Sequence, residues 1–197
     1  MYKKQMILQR VTCFLLLAAA ALVFIYSLGL VTDLYDSLYY IHGYQDPELY
    51  GDLYVEGSII YLDIQDFNKQ LTSAGIVLIL TAVALFVFNT HNRRRYYIAN
   101  YITIGINALA NVGISVWMIT NVLKYRAQYT LINFEQLKKA SALLPSLIHY
   151  TESTFWFDVA WVVLGVVVAA TLLSLANLVI KLVLMGAERK LIKEGGQ

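Results

Sequence analysis

The sequence predicts an all-α integral membrane protein: a four-transmembrane-helix antiparallel bundle, both termini cytoplasmic, with two structured extracytoplasmic loops. Three observations predict it. Of 197 residues, 59% are apolar and only 14% charged, more apolar surface than a soluble domain of this size can bury. Formal charges are missing from four long stretches: Arg10 to Asp33, Lys69 to Arg93, Arg95 to Lys124 and Asp158 to Lys181. A helix crosses the hydrocarbon core with about 20 apolar residues, so each stretch suffices for one span. Finally, lysine and arginine crowd onto alternate connections, which sets the orientation. The whole chain, 1–197, reads as one membrane domain.

The first span is expected at 11–31. Its residues 15–24 are continuously apolar, whereas a transmembrane strand alternates. The basic start and the alanines at 18–21 also suit a signal peptide. The run is longer than a usual signal core and continues past the alanines, so an uncleaved anchor is expected. It contains no carboxylate, which argues against a small drug/proton antiporter driven by an acid in this helix. Cys13 is the sole cysteine, so no intrachain disulfide forms, and it reads as a small apolar residue.

The first outer loop, 32–72, holds eight carboxylates against Lys69 alone, a net charge of −7. Seven of the fifteen tyrosines are interleaved with them, and Tyr35, Tyr39, Tyr40, Tyr44, Tyr50 and Tyr54 are the recognition candidates. Tyrosine rings supply rigid stacking area and carboxylates accept hydrogen bonds, so such a loop suits a partner or a sugar. An interfacial tyrosine belt on a solvated acidic loop is the plainer reading. Residues 52–55 and 58–64, around Glu56 and Gly57, predict a small β-hairpin, and 63–72 a helical lead into the second span.

The second span is expected at 73–89, followed by Arg93, Arg94 and Arg95. Those arginines, with Lys3, Lys4, Arg10, Arg189, Lys190 and Lys193, make nine basic residues on one side. The two larger loops hold Lys69, Lys124, Arg126, Lys138 and Lys139, so the loops are expected outside. The third span, 98–123, carries a polar stripe of Asn100, Thr103, Asn107, Asn111 and Ser115. Ile102, Ile106, Leu109 and Val116 fall on the opposite side at 100° per residue. Asparagines so placed act as interhelical glue or line a hydrated path.

The second outer loop, 124–155, predicts an amphipathic helix over 131–144 ending near Pro145, packed on the membrane surface or on the oppositely charged first loop. The fourth span, 156–182, offers a small and polar face of Ala170, Ser174, Asn177 and Lys181. Lys181 is expected to snorkel to the headgroups as an anchor. Asp158 is expected at headgroup level beside Trp156 and Trp161.

Enzyme signatures are missing. His42, His91 and His149 are scattered, and His42 with Asp46 and Glu48 is too loose a set for a metal. Neither a zinc-protease helix, a nucleophile elbow nor a phosphate-cradling loop occurs, so no catalytic residue, cofactor, metal or nucleic-acid partner is expected. The outline is similar to that of tetraspanins and claudins, whose outer-loop cysteines are missing here, and no kinship follows. Without outer-loop cysteines or glycosylation sequons, a bacterial cytoplasmic membrane is the expected location. The expected partners are the lipid bilayer and a membrane protein or a second copy. The sequence leads to a non-enzymatic accessory or scaffolding subunit of a larger membrane complex such as a transporter. The alternative is a small oligomeric channel or transporter with the asparagine stripe lining its path.

Overall fold

The computed structural model describes residues 2–29, 34–90 and 97–194. Residues 30–33 and the arginines Arg93, Arg94 and Arg95 lie outside the described residues, as do His91 and the side chains of Lys3, Arg189, Lys190 and Lys193.

Every element among the described residues is a helix or a 3-10 turn, with no strand among them. In order they form α1 (Tyr2–Ser27), α2 (Leu34–Leu38), a 3-10 turn (Ile41–Gly43), α3 (Pro47–Tyr50), a second 3-10 turn (Gly51–Leu53), α4 (Ile60–Thr90), α5 (Tyr97–Tyr129), α6 (Phe134–Leu143) and α7 (Phe155–Glu194). Four stretches are long and apolar enough to cross a membrane: Lys4–Ser27, Ile60–Phe88, Asn100–Tyr129 and Phe155–Ala187.

Each long helix outruns the charge gap that predicts it. α4 starts at Ile60, and the expected hairpin does not form. Ile60, Tyr61, Ile64, Phe67, Asn68 and Leu71 are buried, at helical spacing, while Asp63, Asp66 and Lys69 face outward. The β-branched and aromatic content suits a strand, but the burial period is that of a helix. Gly57 (φ 85°) makes the preceding turn, closed by Ser58 N–H to the Val55 carbonyl at 3.2 Å and Ile60 N–H to Gly57 at 3.2 Å.

The chain forms two compact units. The first comprises Met1–Leu22, Gly75–Ser115 and Gly165–Gln197. Its core joins Leu16, Ala19 and Ala20 of α1 to Leu78, Ala82 and Leu85 of α4, Ile104 and Ala108 of α5, and Val167 and Ala170 of α7. The alanines let helix backbones approach closely. The opposite faces carry exposed aliphatics, among them Ile102, Ile106 and Leu109 on α5 and Leu172, Val179 and Val183 on α7. Such faces suit lipid tails.

The second unit comprises Val23–Ala74 and Val116–Leu164. Its core is aromatic: Trp156 stacks on Tyr26 at 5.2 Å, meets Phe157 edge-on at 4.9 Å, and lies 6.3 Å from Phe67. The Tyr26 hydroxyl donates to the Trp156 carbonyl at 3.2 Å. Burying each such ring contributes about 1.5–3 kcal/mol.

In this unit the two loops pack on each other. Asn133 caps α6, its Oδ1 accepting from Gln136 N–H at 3.1 Å, while its own N–H donates to the Glu56 carbonyl at 3.2 Å. Gln136 Oε1 accepts from Glu56 N–H at 3.3 Å. Opposite loop charges do not make this junction: among the described residues no ion pair joins the loops. Buried Val55, Ile132, Leu137 and Ala140 fill it. Helix α6 is shorter than 131–144, because the Asn133 cap sets its start, and Leu131 is left outward at 78% exposure.

Candidate functional site

The first unit contains a buried polar network whose hub, Gln9, lies on α1. Helix formation from Tyr2 puts Gln5 and Gln9 one turn apart on the inward face, with Lys4 and Arg10 outward. Gln9 Oε1 accepts from Gln5 Nε2 at 2.9 Å and from Lys181 Nζ at 3.1 Å. Gln9 Nε2 donates to Asn100 Oδ1 at 3.3 Å, and Gln5 Nε2 donates to Asn177 Oδ1 at 3.2 Å. Five polar side chains on α1, α5 and α7 are thereby joined. All five are buried, Gln9 at 3% and Lys181 at 7% exposure.

Lys181 is therefore no snorkelling anchor. Asn177 and Lys181 are one turn apart on the buried face of α7, and amide carbonyl oxygens of the kind Gln9 presents solvate an ammonium better than lipid does. The Tyr101 ring adds a cation–π contact, its centroid 5.6 Å from Nζ.

The third-span stripe is turned inward, as its amphipathic pattern requires. Asn107 Nδ2 donates to Thr81 Oγ1 on α4 at 3.0 Å, and Asn111 Nδ2 donates to the Asn107 carbonyl at 2.8 Å and to its Oδ1 at 3.0 Å. Thr103 bonds back to the Asn100 carbonyl at 3.0 Å and is half-buried, as is Ser115. Ser174 is buried. Asn177 reaches the stripe through Gln5 and Gln9, so α1 mediates between α5 and α7.

The remaining candidates lie in the second unit. Asp158 is exposed, accepts from Thr154 Oγ1 at 3.2 Å and pairs loosely with Arg126 at 3.6 Å. A pair this open to solvent contributes little. Of the tyrosines, Tyr35 is half-buried against Tyr61, and its hydroxyl accepts from Asn68. Burial, reinforced by Tyr61, pushes the Tyr35 phenol above its ordinary range. Tyr44 and Tyr50 pack together at 5.0 Å, and Tyr54 is half-buried. Tyr39 and Tyr40 are the exposed pair, at 53% and 43%. Six tyrosines thus do not make one surface.

His42, Asp46 and Glu48 do not converge either. The His42 ring stacks on Tyr61 at 4.4 Å, and Asp46 Oδ1 caps α3 by accepting from Glu48 N–H at 2.9 Å. Missed by sequence reasoning were Gln5, Gln9, Thr81 and the inward Lys181. The available signal was the pair of one-turn spacings, Gln5 with Gln9 and Asn177 with Lys181.

The chain matches no family model, no curated protein and no solved structure.

Proposed function

We propose that this chain is a non-enzymatic, multi-pass subunit of the cell membrane, bacterial by its loop chemistry, that serves as an accessory or scaffold in a larger membrane complex such as a transporter. One observation carries the reading: the buried amides of the first unit's spans are bonded to each other or to a side chain of another helix. Gln9 holds Gln5, Asn100 and Lys181, and Asn107 holds Thr81 and Asn111. Conduction requires ligand groups that exchange partners with a passing solute, whereas amides bonded across helices lock a scaffold. The basic bias of the termini and of Arg93, Arg94 and Arg95 supports cytoplasmic termini, which leaves the tyrosine-bearing loops outside to meet a partner.

The alternative, a small oligomeric channel or transporter, draws its support from Lys181, since an ionisable residue within a span is costly unless used. Two measurements separate them. Mild-detergent purification from native membranes should bring down a second membrane protein in fixed ratio. Asn107→Leu with Asn111→Leu should lower thermal stability by weakening the α4–α5 junction. Purification of this chain alone, with solute flux in reconstituted vesicles that changes in the folded double variant, would replace the scaffold reading by the alternative.

A further inference from the structure

We infer that a cleft between the two loops of the second unit binds a compact organic ammonium ion, of the alkylammonium or choline type. This goes beyond the scaffold reading and does not depend on it. The cleft is a shallow, solvent-open one of about 270 Å³. That lies below the roughly 300–1,000 Å³ of sites for drug-sized ligands, so its occupant is small. Asp36, Tyr39 and Tyr40 form one wall, and Ser146, Leu147 and His149 the other.

Local structure fixes both walls. Leu34, Leu38 and Ile41 are buried beneath the first, which turns Asp36, Tyr39 and Tyr40 outward. The two tyrosine rings stand nearly perpendicular, at 85° with centroids 4.8 Å apart, and Tyr61 braces Tyr39 edge-on at 5.9 Å. The second wall follows α6, where Leu147 and Ile148 N–H both donate to the Leu144 carbonyl at 3.0 Å. Ile148 is buried at 2% and anchors the turn, which leaves Leu147 and His149 outward.

This chemistry selects the charge of the ligand. Tyrosine faces carry negative potential and attract a cation within about 6 Å of the ring centre. Asp36 adds a carboxylate, and Leu147 an apolar contact for alkyl groups. The first loop's net charge of −7 raises the local concentration of cations and repels anions. A sugar is a poorer fit: the wall has one carboxylate and neither an amide side chain nor a guanidinium to pair with adjacent hydroxyls.

The test uses the full chain in nanodiscs of phosphatidylglycerol and phosphatidylethanolamine, titrated with choline chloride by calorimetry. Saturable binding is expected, weakened about tenfold in Asp36→Asn and in Tyr39→Ala. Tyr39→Phe should keep the affinity and Tyr50→Ala should not alter it, which separates loss of the ring from loss of the fold. The source of the ammonium is read by adding phosphatidylcholine to the disc. Competition with choline identifies a lipid headgroup, and unchanged choline affinity identifies a soluble ammonium. Absence of choline binding, an affinity in Asp36→Asn and Tyr39→Ala equal to that of the parent chain, or saturation by glucose instead would overturn the assignment.

Discussion

Gln9 shows how one side chain decides whether a buried charge is tolerable. It accepts from Lys181 and Gln5 while donating to Asn100, so its loss disturbs three partners at once. Gln9→Leu, which removes both polar atoms, should cost about 2–4 kcal/mol of stability, measured by denaturant unfolding in micelles. Lys181→Met should stay within about 1 kcal/mol of the parent, because an apolar side chain of similar volume also removes the desolvation cost of the ammonium. The double variant should then recover part of the Gln9→Leu loss; strict additivity would show that the two residues are not coupled. The sequence made the asparagine stripe legible because Asn100, Asn107 and Asn111 recur on one face of an otherwise apolar helix. It hid Gln9 because charge gaps locate the lipid-solvated part of a helix and not the helix itself. Lys181 was misread for the same reason: a lysine near the end of a gap looks like an anchor until a partner on another helix is known.

At the level of elements, the four long helices were legible from composition, and the loop structure only in part. The expected hairpin at 52–64 rested on residue type, whereas the burial of Ile60, Tyr61, Ile64 and Phe67 follows a period that becomes visible once α4 has something to pack against. Helix α6 was legible because Pro145 and the spaced leucines bound it, yet its start depends on Asn133, which interacts with Glu56 far away in sequence. Two substitutions test this junction. Asn133→Ala removes the cap and should cost about 1 kcal/mol. Gly57→Ala should cost about 1–2 kcal/mol, since φ is 85° and the new Cβ meets the Ile132 side chain at 3.3 Å. Hydrogen exchange should quicken together over 51–59 and α6 in both variants. Faster exchange confined to one segment would mean that the loops fold independently.

For the whole molecule, the decisive expectation is sidedness, which sequence charge supports and helix geometry alone does not determine. Nine basic residues flank the spans on the side assigned to the cytoplasm, and five lie in the two larger loops. The chain is well suited to a labelling test, because its one cysteine, Cys13, is buried at 2% exposure and should stay silent toward polar reagents. Leu131→Cys and Tyr40→Cys introduce thiols at exposed loop positions, and Lys4→Cys and Ala187→Cys at exposed positions near the termini. A membrane-impermeant maleimide added to intact cells should modify the first pair at once and the second pair only after permeabilisation. The opposite pattern would put the acidic, tyrosine-bearing loops in the cytoplasm and take the proposed partner and ammonium ligand with them. Labelling of all four positions in intact cells would contradict a four-span topology with both termini inside. The positive-inside bias acts through the basic residues of short connections, so replacing Arg93, Arg94 and Arg95 by glutamine should make that topology mixed without changing the helices themselves.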